Sequence, residues 1–92
     1  MIIGFADKET ERLWRTSRSI RLAAIADRAL RSLVALDSAV KIDDLRSPPG
    51  NRPEKLRGDR EGQWSIRIDR QWRLCFVWEN GNAEHVEIVD YH

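Results

Sequence analysis

Asp90, Tyr91 and His92 occupy three consecutive positions, and each carries a side chain able to hold or move a proton. In an extended segment, alternation places Asp90 and His92 on one face and Tyr91 on the other. A carboxylate two residues from an imidazole can orient the ring and raise its pKa. The chain stops on His92, so its α-carboxylate is expected to add a second negative charge there. Arginine supplies the complementary chemistry. Arg57 and Arg60 flank a glycine turn, and Arg73 follows Trp72 at the start of an apolar alternating run. In an antiparallel meander these positions can converge at one end of the sheet. Guanidiniums bind phosphate and stabilise charge developing on it, while His and Asp transfer protons. Together they suit a phosphodiester site. The competing reading is structural: Arg73 in an ion pair with Glu61, Glu87 or Asp90, and His92 at a solvated strand end.

The other candidates are weaker. His85 and His92 lie seven apart with Glu87 the near carboxylate, which is no metal-binding pattern, and no glycine-rich phosphate loop opens a helix. No cofactor is expected. Cys75, the single cysteine, lies in an apolar strand and reads as core. His85 reads as an exposed strand residue. Trp14, Trp64, Trp72 and Trp78 read as packing groups, although one at a sheet edge could stack on a base.

Ninety-two residues make one domain, 1–92, with one modest core. The net charge of +1 gives no overall field for nucleic acid. The distribution is more telling: 13 of the 16 basic residues are Arg, and residues 52–73 hold seven Arg or Lys against four acids. Residues 74–92 hold four acids and no Lys or Arg. A basic middle beside an acidic end fits a site that holds an anion near a base. No opening segment resembles a signal peptide and no apolar run could span a bilayer, so a cytoplasmic protein without membrane contact is expected.

The elements that must position these groups follow from pattern. Residues 1–5 read as a short strand. Asp7 can cap a helix over residues 8–15, with Leu13 and Trp14 turned inward. A second helix is predicted over residues 20–36. Leu22, Ile25, Ala29, Leu33 and Leu36 make its apolar face, and Arg21, Asp27, Arg28, Arg31 and Ser32 its outer one. One or two helical turns fit residues 37–45. Three prolines and a glycine make residues 47–53 a loop. Residues 54–57 form a short strand before the turn at 58–62. Strands over 63–69, 72–78 and 83–91 complete the chain, the last two joined by the Asn80-Gly81 hairpin signal. The order implies an α+β fold: two N-terminal helices packed on one face of a small, mainly antiparallel sheet, with the other face partly open.

These segments resemble a known family. Leu45-Arg46-Ser47-Pro48-Pro49-Gly50-Asn51-Arg52, the run from Leu56 to Ile68 through Arg57-Gly58-Asp59-Arg60, Gln71-Trp72-Arg73-Leu74-Cys75-Phe76 and the terminal Val86 to His92 are similar to the HigB-type plasmid-maintenance toxins of the RelE/ParE superfamily. The likeness covers almost the whole chain and is strongest in its second half. It implies a RelE-like fold and a type II toxin–antitoxin role. The toxin would cleave mRNA in the ribosomal A site and be held inactive by a helix-turn-helix antitoxin of the HigA type, with DNA contacted only through that antitoxin. It implies a site drawn from Arg57, Arg73, Asp90, Tyr91 and His92, with Arg60, Arg67 and Glu54 as further RNA or phosphate contacts. Two positions depart from some relatives, which carry Lys at Arg57 and His at Glu54. Arg57 can stabilise charge but is a poor proton donor. Glu54 can act as a base but not as a phosphate-binding cation.

The chemistry expected is metal-independent transesterification. His92, oriented by Asp90, takes the proton of an RNA 2′-OH, and Arg73 and Arg57 stabilise the attacked phosphate. Tyr91 or a ribosomal group protonates the leaving 5′-oxygen. With so few proton-transfer groups, alignment of the strand by the ribosome must supply much of the barrier lowering. Two rivals stand beside this: a gyrase-blocking toxin of the ParE kind, and a non-catalytic RNA- or protein-binding module.

Overall fold

The computed structural model describes residues 1–90. Four strands form an antiparallel meander in the order β1-β2-β3-β4: β1 (Glu54–Lys55), β2 (Gln63–Arg67), β3 (Trp72–Glu79) and β4 (Asn82–Asp90). Two helices, α1 (Lys8–Thr16) and α2 (Ala26–Ser38), pack on one face, chiefly against β3 and β4. The expected fold class is the one observed. No helix among the described residues is long and apolar enough to cross a membrane.

The core lies where the two periodicities meet. Leu13 from α1 and Ala29, Leu33 and Leu36 from α2 meet Ile66, Leu74, Phe76, Val86 and Ile88 from the sheet, all of them buried. The four tryptophans are half-buried against this cluster. Trp78 meets Phe76 edge to face, with centroids 6.3 Å apart.

Local chemistry sets the element ends. Asp7 caps α1 by accepting from the Glu9 N–H at 3.1 Å and the Thr10 hydroxyl at 2.7 Å. Ser17 stops α1 in the left-handed region, and its N–H returns to the Leu13 carbonyl. Asn80 and Gly81 both take positive φ, as a two-residue hairpin turn requires.

Three expectations need correction. The first strand reduces to two isolated parallel bridges, Ile2 to Ala83 and Phe5 to Val86, along the edge of β4. The second helix begins later than its apolar spacing suggests, with a 3-10 turn (Ala23–Ile25) leading into α2. Ser19 explains the delay: its hydroxyl donates to Glu9 at 2.9 Å and accepts from the Leu22 N–H at 3.1 Å, holding the approach in a loop and leaving Ile20 in solvent. Ser32 is buried rather than outward, facing Pro48, Gly50 and Asn51 of the proline loop across a small cavity. That loop contains its own 3-10 turn, Pro49–Asn51, and the segment expected as helical turns holds another, Ile42–Arg46.

A bulge in β4 governs which side chains reach the open face. Cys75 pairs with Glu87 but Val77 pairs with Glu84, so His85 and Val86 together oppose Phe76. His85 absorbs the extra residue at φ 52, the conformation glycine usually takes in such bulges. The parity of the strand changes there. Ala83 before the bulge and Val86 and Ile88 after it are all buried in the core. Glu84 and Glu87 accordingly share the other face with their partners Val77 and Cys75.

Candidate functional site on the open sheet face

The face without helices carries two rows of residues. One runs across all four strands in register, Glu54, Ser65, Cys75 and Glu87; the next is Arg67, Arg73 and Val89. Arg67 and Arg73 stand directly opposite each other. Like charges in that relation destabilise a sheet, so this pair favours an anion laid across it.

The two arginines lean apart. The Arg67 Nε donates to the Asp69 carbonyl at 3.1 Å, which draws it toward the β2–β3 hairpin. Arg73 leans the other way, with its Nε donating to the Ser65 hydroxyl at 2.8 Å and one terminal nitrogen to the Arg52 carbonyl at 3.0 Å. The same nitrogen lies 3.7 Å from the Glu54 carboxylate. The Arg73 side chain is only 13% exposed, that of Glu54 63%. With a separation this long and Glu54 mostly in solvent, the ion pair is weak.

Arg60 reaches the same row from the turn between β1 and β2. One of its terminal nitrogens donates to Glu87 at 2.7 Å and to Gln63 at 3.0 Å. Arg60 and Arg73 thus converge over Cys75, which is fully buried beneath them. Burial raises the Cys75 thiol pKa, as does the Glu87 charge, while Arg60 and Arg73 pull it down. Burial prevails, so Cys75 serves as floor, the packing role its apolar strand suggests.

Two other expected residues, Arg57 and Asp90, lie outside these two rows. Arg57 is exposed just ahead of the 3-10 turn Gly58–Arg60. Asp90 stands across from Trp72, whereas Arg73 stands across from Val89. The two therefore project from opposite faces, and Gln71 donates to Asp90 at 3.0 Å. Tyr91 and His92 lie outside the described residues. Among the described residues, no group of three or more His, Cys, Asp or Glu could hold a metal ion.

Sequence reasoning missed Ser65 and the Arg52 carbonyl. Ser65 had a signal, since alternation puts it on the same face as Arg67. A backbone carbonyl leaves no mark in side-chain patterning, and Glu54 as the ionic partner of Arg73 depends on the β1–β2 register.

Residues 3–92 match the family model described as RelE-like toxin of type II toxin-antitoxin system HigB. The chain belongs to the HigB-like toxin family. Toxin HigB-1 of Vibrio cholerae is 41% identical over 85 residues, spanning 90% of each chain. A Proteus vulgaris protein named Endoribonuclease HigB is 39% identical over 66 residues, 72% of this chain and 71% of its own. The fold is shared more widely than the HigB-like sequence. A YoeB-YefM complex from Staphylococcus aureus has a chain that superposes with a TM-score of 0.62 at 17% identity, covering 100% of this chain and 95% of that one. A YoeB/ParE toxin from Agrobacterium tumefaciens gives 0.56 at 19% identity, covering 99% and 98%.

Proposed function

We propose that this HigB-like toxin is an endoribonuclease that cleaves mRNA in the ribosomal A site and so arrests translation and growth. The observation that carries the reading is the Arg73 guanidinium, held on a half-open sheet face by the Ser65 hydroxyl and the Arg52 carbonyl. A group so placed can take a phosphate without reorganising. The Proteus vulgaris relative bears the name of an endoribonuclease, and family membership supports the toxin role.

The proposed reaction is an in-line transesterification that needs no metal. The 2′-oxygen loses its proton to His92 and attacks the adjacent phosphorus. The 5′-oxygen leaves with a proton from Tyr91 or a ribosomal group, so the products carry a 2′,3′-cyclic phosphate and a 5′-hydroxyl. Arg73 and Arg57 stabilise the charge on the equatorial oxygens. Asp90, turned away from Arg73 and bound by Gln71, orients the proton-transfer group rather than touching phosphate. Arg60, Arg67 and Glu54 line the path of the strand. Ribosomal alignment of the RNA supplies the in-line geometry. The partner that restrains the toxin is an antitoxin of the helix-turn-helix HigA type, and the pair works in the cytoplasm.

Mapping of new 5′ ends on one defined mRNA in a purified translation system tests this. Ends at A-site codons are expected only with ribosomes present, and they should be lost in His92→Ala. A DNA copy of the message, which lacks the 2′-OH, should stay intact. Growth arrest in cells without new RNA ends would overturn the proposal in favour of a gyrase-directed toxin.

A further inference from the structure

We propose that Ser65 is a positioning residue that fixes the plane of the Arg73 guanidinium for phosphate, with the Arg52 carbonyl as its second tether. The inference rests on Arg73 being the phosphate-binding group. An arginine on an open sheet face has four side-chain torsions to lose before it can hold an anion. Here two different nitrogens of the planar group are already bound, Nε to the Ser65 hydroxyl at 2.8 Å and a terminal nitrogen to the Arg52 carbonyl at 3.0 Å. Two bonds on one rigid plane leave it little freedom to turn.

Both anchors are themselves fixed. Ser65 is fully buried, on a strand paired on both sides, with Glu54 and Cys75 as its neighbours in register. Alanine would fill that place without a hydroxyl to desolvate. The Arg52 carbonyl is aimed by a left-handed backbone, φ 42, which a non-glycine residue adopts only under strain. The preceding Asn51 is buried and pins the loop, its amide donating to the Leu45 and Ser47 carbonyls at 3.2 and 3.3 Å. The loop, the strand and the arginine form one pre-set cradle. Orientation settled before the substrate arrives shows in the chemical step more than in binding.

Single-turnover cleavage of ribosome-bound mRNA should be measured for wild type, Ser65→Ala, Ser65→Thr, Arg73→Lys and Ser65→Ala/Arg73→Lys, with thermal melts of each. Ser65→Ala is expected to lower the saturating rate roughly 10- to 100-fold, with the half-saturating concentration changed less than about twofold and the fold intact by melting. Threonine keeps the hydroxyl, so Ser65→Thr should return to within about threefold of wild type. Lysine has no Nε–H for Ser65 to hold. In the Arg73→Lys background, Ser65→Ala should therefore change the rate by less than about twofold, the coupling that contacting residues show. A wild-type rate in Ser65→Ala overturns the proposal, as does an undiminished effect in the Arg73→Lys background. So does a rate loss that follows unfolding and is not rescued by threonine. A fully active Arg73→Lys would instead sink the reading of Arg73 on which the proposal stands.

Discussion

As the proposed phosphate-binding group, Arg73 combines binding chemistry with restraint, and both belong to its guanidinium. Arg73→Lys keeps the charge but loses the fork that meets Ser65 and the Arg52 carbonyl at once. Its expected effect is a fall in cleavage rate of about 10²- to 10³-fold, the range for loss of one charge-stabilising donor, with melting nearly unchanged. Asp69 shows the opposite balance, being structural with a pH signature. Its carboxylate accepts from the backbone N–H groups of Gln71 and Trp72, each at 2.8 Å, and pairs with Arg28 at 3.3 Å. The Trp72 N–H leads in holding its pKa below the usual carboxylate value, outweighing partial desolvation, with Gln71, Arg28 and Arg67 assisting. A folded-state pKa below the unfolded one stabilises the protein above about pH 4 and ceases to do so as pH falls through the folded value. Asp69→Asn should therefore melt lower at neutral pH and lose less stability on acidification than wild type, as thermal melts between pH 2.5 and 7 would show. His85 is a strained position, at φ 52 in the bulge. His85→Gly should leave stability unchanged or slightly raised. His85→Val should cost about 1–3 kcal/mol by denaturant unfolding.

Between α1 and β4, one hydroxyl does what a neighbouring strand would otherwise do. Thr10 is fully buried, donates to the capping Asp7 at 2.7 Å and accepts from the Ile88 N–H at 3.0 Å. The parallel bridging of the N-terminal segment reaches Val86, and Thr10 satisfies the next outward N–H on that edge. Thr10→Val conserves shape but strands that donor, so it should cost about 1–3 kcal/mol, read as a shift in urea midpoint with an unchanged slope. The start of α2 illustrates how far periodicity reaches. The spacing of Leu22 and Ile25 correctly marks the buried side, yet Ser19 and a 3-10 turn hold this stretch outside the α-helix. Apolar spacing reports which residues face inward. It does not separate an α-helix from a tight turn that presents the same side.

For the whole molecule, a net charge of +1 conceals an uneven distribution, with Arg67 and Arg73 beside Glu54, Glu84 and Glu87 on the open face. Arg67 and Arg73 stand opposite each other there, with Arg52 beside Arg73 and Arg60 beside Glu87. Four guanidiniums on a single-stranded RNA predict a slope of about −3 for log K against log salt. Fluorescence anisotropy with a short RNA at several salt concentrations would measure it, and a slope near zero would argue against phosphate contact by this face.

Much of this was legible in the residues alone. The helix at Asp7, the hairpin at Asn80-Gly81 and the buried Leu22, Ile25, Ala29, Leu33 and Leu36 all follow from local rules of capping, turn conformation and periodicity. Those rules act over a few residues, so one chain displays them. The site's geometry does not follow from them. Glu54 meets Arg73 only because β1 pairs with β2 in one particular register, and the Arg52 carbonyl reaches Arg73 from 21 positions away. Glu87 shares the open face, and Asp90 turns to the other, because one extra residue at His85 changes the parity of β4. A single-residue bulge reverses the facing of every side chain beyond it. Without the pairing of β3 and β4, alternation counted from Ala83 would turn Glu87 inward. Sequence determined which chemistry was at hand and which elements carry it; tertiary pairing decided which of those groups meet.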